Sequence, residues 1–382
     1  MSERIAVETI KVSDLSMSER VLWREFRRAN PLLASPYFDL RYIDVAAQFA
    51  PGAAVAVIRR GDEVIGFLPF QRRGGAVQPL AAPMSDYHGL ITRPDADLDL
   101  IAILRGLGAE RARVRGLIGG AFASGGLSVR YAMAADLREG YAAYEAAREA
   151  GFLKDKRRRR RALERDHGPV AFSYERPTAH MMERVIADKR LQFRRTHQYD
   201  IFACGWTARL LHGLADINDK DFGLRLATLR AGDKVVAAEL GLTSGDRHHL
   251  WFPVYDTAYA RYSPGHLMTL ETLRAAAGQG IARVDFGAGG EAYKRDFALA
   301  AEPVFEGVVS TRPRALTGLR HMPGVTRLSR RFDCMEACEP GPLGRVRGAS
   351  SFAAAMGRRH PRLGTGIGLG LGLGLSLALL AD

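Results

Sequence analysis

Ala56-Val57-Ile58-Arg59-Arg60-Gly61-Asp62-Glu63-Val64-Ile65-Gly66 has a counterpart in the second half of the chain, Ala227-Thr228-Leu229-Arg230-Ala231-Gly232-Asp233-Lys234-Val235-Val236-Ala237. Each stretch reads as strand, Gly-Asp turn, strand, because apolar and β-branched residues flank a turn that needs positive φ. One such hairpin is common and proves nothing. Two in register, each preceded by a helical stretch and followed by a further apolar strand, point to a duplicated α/β domain.

Outward from the first hairpin, Glu19 to Ala29 has helical spacing, with Val21, Leu22 and Phe26 on one side. Asn30-Pro31 ends it, since the residue before proline avoids the α region. Ala76 to Leu80 follows the hairpin, then a turn entering a strand at Ser85-Asp86-Tyr87-His88-Gly89-Leu90-Ile91. Asp97 to Leu107 reads as a helix and Leu117-Ile118 as a short strand. The join falls near Gly151, giving expected domains at 1–150 and 151–312, with a basic tail over 313–382.

In the second half, Lys154 to Arg165 is a strong helix former with almost no apolar face, so a solvated surface helix is expected. Met181 to Phe193 is another helix, with Met182, Val185, Ile186 and Lys189 on neighbouring turns. His249 to Tyr255 is a strand in which Pro253 marks an irregularity or an exposed edge. Ser263-Pro264 opens a helix with a serine N-cap and a first-turn proline, and Gly278 and Gly280 stop it. Ile281 to Phe286 is the next strand and Val304 to Ser310 the last. Strand, helix, strand at this length makes a parallel crossover.

The 382 residues are 47% hydrophobic and 25% charged, the balance of a folded chain with room for two domains. The net charge of +13 is concentrated in Lys154 to Arg161 and after Pro313, and it favours anionic partners: phosphorylated cofactors, nucleic acid or acidic lipid. Aromatic residues are not interleaved with the arginine run, which argues against a nucleic-acid grip. Cys204, Cys334 and Cys338 make no disulfide framework, and Met-Ser-Glu-Arg-Ile lacks the order of a signal peptide. A reducing, cytoplasmic setting is expected. Gly366 to Leu380 alternates Gly with Leu or Ile; it is short for a spanning helix and weakened by glycine, so a disordered or loosely membrane-associated tail is expected.

Three places could carry chemistry. Arg261-Tyr262-Ser263-Pro264-Gly265-His266 enters a helix whose N-terminal amides can hold a phosphate; the plain alternative is an ordinary helix start. Asp285-Phe286-Gly287-Ala288-Gly289-Gly290-Glu291-Ala292-Tyr293-Lys294-Arg295 is a strand running into a glycine-rich loop, where open α/β sheets place ligands. Lys294 and Arg295 could meet phosphates and Tyr293 could supply a proton, or the loop is merely solvated. It is no P-loop, because the Gly-Lys-Ser/Thr ending is missing. Glu239 interrupts an apolar strand. Alternation groups it with Ala237 and Gly241, which favours a solvated face over a half-buried base. His248, His249 and His266 are lesser proton carriers. His248-His249 has no third ligand at metal spacing, and Cys334 and Cys338 form an isolated pair, so no metal is expected.

With those residues in hand, Arg225 to Phe297 resembles the GNAT-like acyltransferase domain of the bacterial CelD type, associated with cellulose and exopolysaccharide synthesis. The resemblance rests on the Ala227-to-Leu242 hairpin, Trp251-Phe252-Pro253-Val254-Tyr255-Asp256, Tyr262-Ser263-Pro264-Gly265, and Asp285-Phe286-Gly287 with Glu291, Tyr293, Lys294 and Phe297. Asn30-Pro31 and Ser85 to Gly89 extend it over roughly residues 20 to 312. It implies tandem GNAT-like domains, each a mixed twisted sheet flanked by helices, and is also similar to the FemAB peptidyltransferases. It further implies acyl-CoA as co-substrate in a cleft between His249–Tyr255 and Ile281–Phe286. The donor would meet Tyr255, Arg261, Ser263, Gly265 and His266. Glu239 would be the base, Tyr293 and Lys294 would act at the substrate, and Asp285 would anchor them. The acceptor would be a small molecule or saccharide precursor, with an anionic membrane surface as a further partner. The usual pyrophosphate loop, Gln/Arg-x-x-Gly-x-Gly/Ala, is only partly met by Arg261 to His266, which keeps aminoacyl-tRNA as an alternative donor. A non-catalytic binder of anionic lipid or nucleic acid is the competing class.

Overall fold

The computed structural model describes residues 5–119, 127–196, 198–289, 291–312, 333–341 and 343–346. The first half runs β1 (Ile5–Ile10), α1 (Met17–Ala29), α2 (Leu40–Phe49), β2 (Ala53–Arg60), β3 (Glu63–Arg73), β4 (Ala76–Pro79), β5 (Ile91–Thr92), α3 (Leu100–Gly106), β6 (Arg111–Leu117), β7 (Ser128–Asp136) and α4 (Gly140–Ala146). The second runs α5 (Ala150–His167), β8 (Val170–Glu175), α6 (Ala179–Arg195), α7 (Trp206–Ala215), β9 (Phe222–Ala231), β10 (Lys234–Ser244), β11 (Arg247–Tyr255), α8 (Pro264–Gly278), β12 (Arg283–Asp285), α9 (Tyr293–Phe297) and β13 (Ala300–Ser310). Strand, two helices, three-stranded meander, helix, strand is the order in both halves. Gly151 lies in the first turn of α5.

The echoed hairpins are β2–β3 and β9–β10. Gly61 and Gly232 turn them at φ +58° and +56°, where a side chain would be strained. Both carry a bulge at the same place: pairing skips Ile65 in β3 and Val236 in β10, which the sequence echo aligns. Shared turn and shared bulge together argue for duplication more strongly than either alone.

The strands form one mixed sheet in the order β1-β2-β3-β4-β6-β13-β7-β12-β11-β10-β9-β8, with β5 against β3. The halves exchange their last strands. β13 pairs antiparallel with β6 of the first half, β7 pairs antiparallel with β12 of the second, and β13 and β7 pair with each other at the centre. Neither β7 nor the destination of β13 is visible in the hydrophobic pattern.

On one face of the sheet, α1, α2, α6 and α7 close a shared core around Trp23, Phe67, Tyr42, Trp206 and Leu240. On the other, α8 and α5 cover Leu229, Val236, Leu267 and Leu163. Several expectations need correction. Val21 of α1 is exposed and Trp23 takes the buried position beside Phe26. α5 is anchored after all: Leu153 and Leu163 are buried, and Arg159 and Arg160 are tied to Asp155, Glu164 and Glu271. Ser263 stands at the N-cap of α8, but its backbone is left-handed (φ 54°, ψ 52°) and its hydroxyl caps nothing. Cys334 and Cys338 are not isolated, since Cys338 and Cys204 both point their thiols at the Ile201 carbonyl. That contact, with Trp206 Nε1 donating to the Cys338 carbonyl, holds the helical segment 333–338 to the body. Gly366 to Leu380 lies outside the described residues. Among those described, no helix is long and apolar enough to cross a membrane.

Candidate active site

β11 and β12 run parallel, but they pair only over Arg247↔Arg283, His248↔Val284 and His249↔Asp285. Beyond that point β11 continues to Tyr255 while the chain after Asp285 turns away, so the strands part. Pro253 lies on the parted stretch, where a missing N–H disrupts no ladder on that side. Opposite β10, pairing slips by one at Leu240/Gly241, which leaves Trp251 as an extra residue. Such a bulge bends the strand and re-aims its side chains. The equivalent place in the first half, between β4 and β6, is a small cavity walled mainly by Leu68, Phe70, Leu90, Val114 and Leu117, with Gln78, His88 and Arg113 also at its wall.

His249 is the centre of the notch where β11 and β12 part, and it is fully buried. Its Nε2 lies 2.8 Å from Asp86 Oδ2, and its Nδ1 lies 3.5 Å from Asp285 Oδ1, an ion pair without hydrogen-bond alignment. Tyr87 donates to Asp285 Oδ1 at 2.7 Å, and so does the Gly287 amide at 2.6 Å. Burial opposes a charge on His249, but the two carboxylates outweigh it and raise its pKa to about 9. Crowding by protein likewise opposes the charge on Asp86 and Asp285, yet the imidazolium keeps both below their ordinary values. Tyr37 and Tyr87 stand edge-on to the ring, at 5.1 and 5.6 Å between centroids. Asp86 is the outward member, with 44% of its side chain exposed.

Glu239 overturns the solvated-face reading: it is 3% exposed. It pairs across β10–β11 with Pro253, on the parted stretch. Among the described residues its carboxylate has no hydrogen-bond or ion-pair partner. Burial lifts its pKa to about 7, against the pull of Lys189, His249 and Lys294. Lys189, from α6, donates to the Pro253 carbonyl at 3.1 Å, and burial brings its pKa down to about 8. Lys294 is buried and lies 3.0 Å from Glu291 Oε2. Gly287 shows how tightly these groups converge. A Cβ there would sit 3.4 Å from Asp86 Oδ2, 3.6 Å from His249 Cε1 and 3.8 Å from Lys294 Nζ. Tyr293 follows on the first turn of α9, its phenol pKa raised by burial and then by Glu239 and Glu291.

Of the residues singled out from sequence, Glu239, Asp285, Tyr293 and Lys294 therefore meet in one notch. His266 joins them at its edge, its ring 6.2 Å from that of Tyr293 and packed on Phe152 and Phe297. Burial, with Lys156 nearby, keeps His266 below its ordinary pKa. Gly265 opens onto free space, with nothing within 4 Å of a Cβ built there. Arg261 is mostly exposed and already engaged with Asp166 and Tyr262, and Tyr255 is half-exposed at the end of β11. His248 is buried and neutral, its pKa lowered to about 3 by burial, with Nδ1 2.8 Å from the Thr243 hydroxyl. The sequence alone gives Asp86, Tyr87 and Lys189 no role, and His249 only a minor one. The one signal was the Ser85-to-Gly89 motif, whose partners lie in the other half of the chain. The two carboxylates flank opposite nitrogens of His249 rather than converging, and among the described residues no group of three His, Cys, Asp or Glu is arranged to hold a metal ion.

The parted strands leave a gap edged by a buried carboxylate of raised pKa and two lysines, groups able to exchange a proton with a bound ligand. Residues 150–295 match the acetyltransferase (GNAT) domain. That match supports an acyltransferase, and the repeated element order makes the chain a tandem of GNAT-like halves. The match spans less than half of the 382 residues. No curated protein matches the chain. Similar solved structures include the C-terminal domain (DUF2156) of a putative lysylphosphatidylglycerol synthetase from Agrobacterium fabrum, at 13% identity and TM-score 0.48, covering 81% of this chain and 95% of that one. FemX is similar at 11% identity and TM-score 0.47, covering 80% and 97%. A tandem GNAT protein from the clavulanic acid biosynthesis pathway is similar at 11% identity and TM-score 0.47, covering 81% and 99%.

Proposed function

We propose that the second half transfers an acyl group from acyl-CoA to an amine or hydroxyl of a polysaccharide or cell-envelope precursor. The observation that carries this reading is the parting of β11 from β12 after His249 and Asp285, with the unpartnered, buried Glu239 opposite the parted stretch. Glu239 takes the proton from the acceptor, whose nitrogen or oxygen then attacks the thioester carbonyl. The peptide N–H groups of β11 beyond His249 that face away from β10, on the side where β12 has parted, offer donors to the developing oxyanion. As the carbon–sulfur bond breaks, the thiolate takes a proton from the Tyr293 hydroxyl. Lys189, His249 and Lys294 partly offset the burial cost of ionised Glu239.

The donor enters from the start of α8, where Gly265 leaves room at helix amides without intrahelical partners. The basic face of α5 borders that entrance, since Arg159 donates to the Arg261 carbonyl. The CelD-type resemblance supports the precursor class of the acceptor. Calorimetric titration with acetyl-CoA, followed by turnover with Lys294→Ala, tests the reading. Saturable binding of acetyl-CoA and a folded variant with at least tenfold lower turnover are expected. Binding that simply fades with salt, at any anion, would instead mark a surface binder. Displacement of acetyl-CoA by tRNA would shift the donor to an aminoacyl-tRNA.

A further inference from the structure

On the α1–α2 face of the sheet, a cavity of about 290 Å³ opens between the Pro31–Pro36 segment of the first half and strands β11, β12 and β13. Its volume is at the small end for ligand pockets, enough for a headgroup of about a dozen heavy atoms. Its walls are largely apolar, with Pro36, Ile118, Val304 and Phe305 among them. Four charged side chains interrupt them: the carboxylates Asp285 and Glu302, and Arg247 and Arg283, which pair in register on adjacent parallel strands.

Neither guanidinium is fully used. Arg247 has its Nε 3.2 Å from Asp246 Oδ1 without hydrogen-bond alignment, and its two terminal nitrogens donate to no described group. Arg283 gives Nη1 to Glu302 at 2.7 Å, while its Nη2 is buried without a partner. Ser35 Oγ, also at this wall, is buried and unpartnered as well. Buried polar groups are normally hydrogen-bonded, and an orphaned one is costly to the fold. Several orphaned donors around one cavity favour a ligand that brings acceptors. Paired arginine forks match the oxygens of a carboxylate or phosphate.

The cavity also touches the notch. Tyr87 and Asp285 line it, and the same two side chains, hydrogen-bonded to each other, flank His249. We propose that this cavity binds the acidic end of the acyl acceptor, a carboxylate or phosphate on an apolar or sugar-like body, held by Arg247 and Arg283 so that its nucleophile reaches past Asp285 into the notch. The acceptor role rests on the transferase reading; the anion site does not.

Calorimetric titration of the full chain with phenyl phosphate, benzoate and uncharged benzyl alcohol tests it, with acetyl-CoA titrated in parallel. At least one anion is expected to bind tenfold or more tightly than benzyl alcohol, and the tighter of the two tells phosphate from carboxylate. Arg247→Gln and Arg283→Gln, each verified as folded by circular dichroism, should each weaken that anion at least tenfold. Leu32→Trp, on the exposed loop at the mouth, should weaken it with no change of charge. Equal affinity for the anions and the alcohol, or anion binding indifferent to both arginine variants, overturns the proposal. Anion binding as expected with no acetyl-CoA binding sustains the cavity and sinks the acyl-CoA reading instead.

Discussion

Replacing Glu239 by Gln should make the protein slower and, above neutral pH, more stable. The ordinary carboxyl value is 4.5 and burial lifts it to about 7. At about 1.4 kcal/mol per pH unit, the ionised side chain costs the fold roughly 3 kcal/mol. The sign follows from proton binding. Folded protein holds this proton more tightly than unfolded protein does, so the cost is absent below pH 4.5, grows between 4.5 and 7, and is complete above 7. Glutamine carries no charge at any pH. The difference in urea midpoint between variant and wild type, measured at several pH values, should therefore grow in favour of the variant by an amount equivalent to roughly 3 kcal/mol from pH 4.5 to pH 8. Taking the difference cancels every group whose titration the substitution leaves alone. In the same samples kcat/KM of the wild type should fall tenfold per pH unit below about 7, the limb of a base that must be ionised. The variant should lose that limb along with about 10²–10⁴ of the rate. A stability difference that stays flat with pH would refute the argument, because it would mean that Glu239 is not a desolvated carboxylate.

Three further outcomes follow from the same geometry. Gly265→Phe, projecting into open space, should leave the melting temperature within a degree or two of wild type and weaken acetyl-CoA at least tenfold by calorimetry. Tyr293→Phe should lower kcat more than it raises KM, and a solvent-exposed leaving thiol that needs no proton would show as unchanged kcat. His249→Gln should destabilise the fold by roughly 2–3 kcal/mol at pH 6, below the full value for a buried pair because Asp86 is 44% exposed. The raised histidine pKa means that this contribution is fully present below about pH 6.5 and is lost as pH rises through about 9, so the gap to wild type should narrow by pH 10 in urea melts.

The duplicated hairpin, the β11–α8–β12 crossover and the oddity of Glu239 in an apolar strand were all legible in the sequence, because each is a local departure in pattern. What the sequence withheld is whatever depends on long-range pairing. Strand β6 begins at Arg111, well before Leu117-Ile118: Arg111, Arg113 and Arg115 alternate with the smaller Ala112, Val114 and Gly116, a strand period masked by three arginines and a glycine. Alternation puts Glu239 toward water, but alternation fixes only which side of a strand a residue takes, and both sides of this sheet are covered. The Ser85-to-Gly89 motif marks the neighbourhood of Asp86 but not its role, because its partner His249, 2.8 Å away, comes from the other half of the chain. Lys189 was visible only as a lysine on the apolar turns of α6, an irregularity that its burial beside Pro253 now accounts for.

The exchange of final strands sets a schedule for synthesis. β6 ends at Leu117 and β13 starts at Ala300, 183 residues further on (300 − 117). At about 5–20 residues per second, a nascent first half waits roughly 10–40 s before its permanent neighbour has been made. During that interval the flank of β6 is bare backbone, or is borrowed by β7, from which it must later part to admit β13 between them. The first half is thus born incomplete, and its arginine-rich edge, Arg111, Arg113 and Arg115, keeps that flank from joining another chain while it waits.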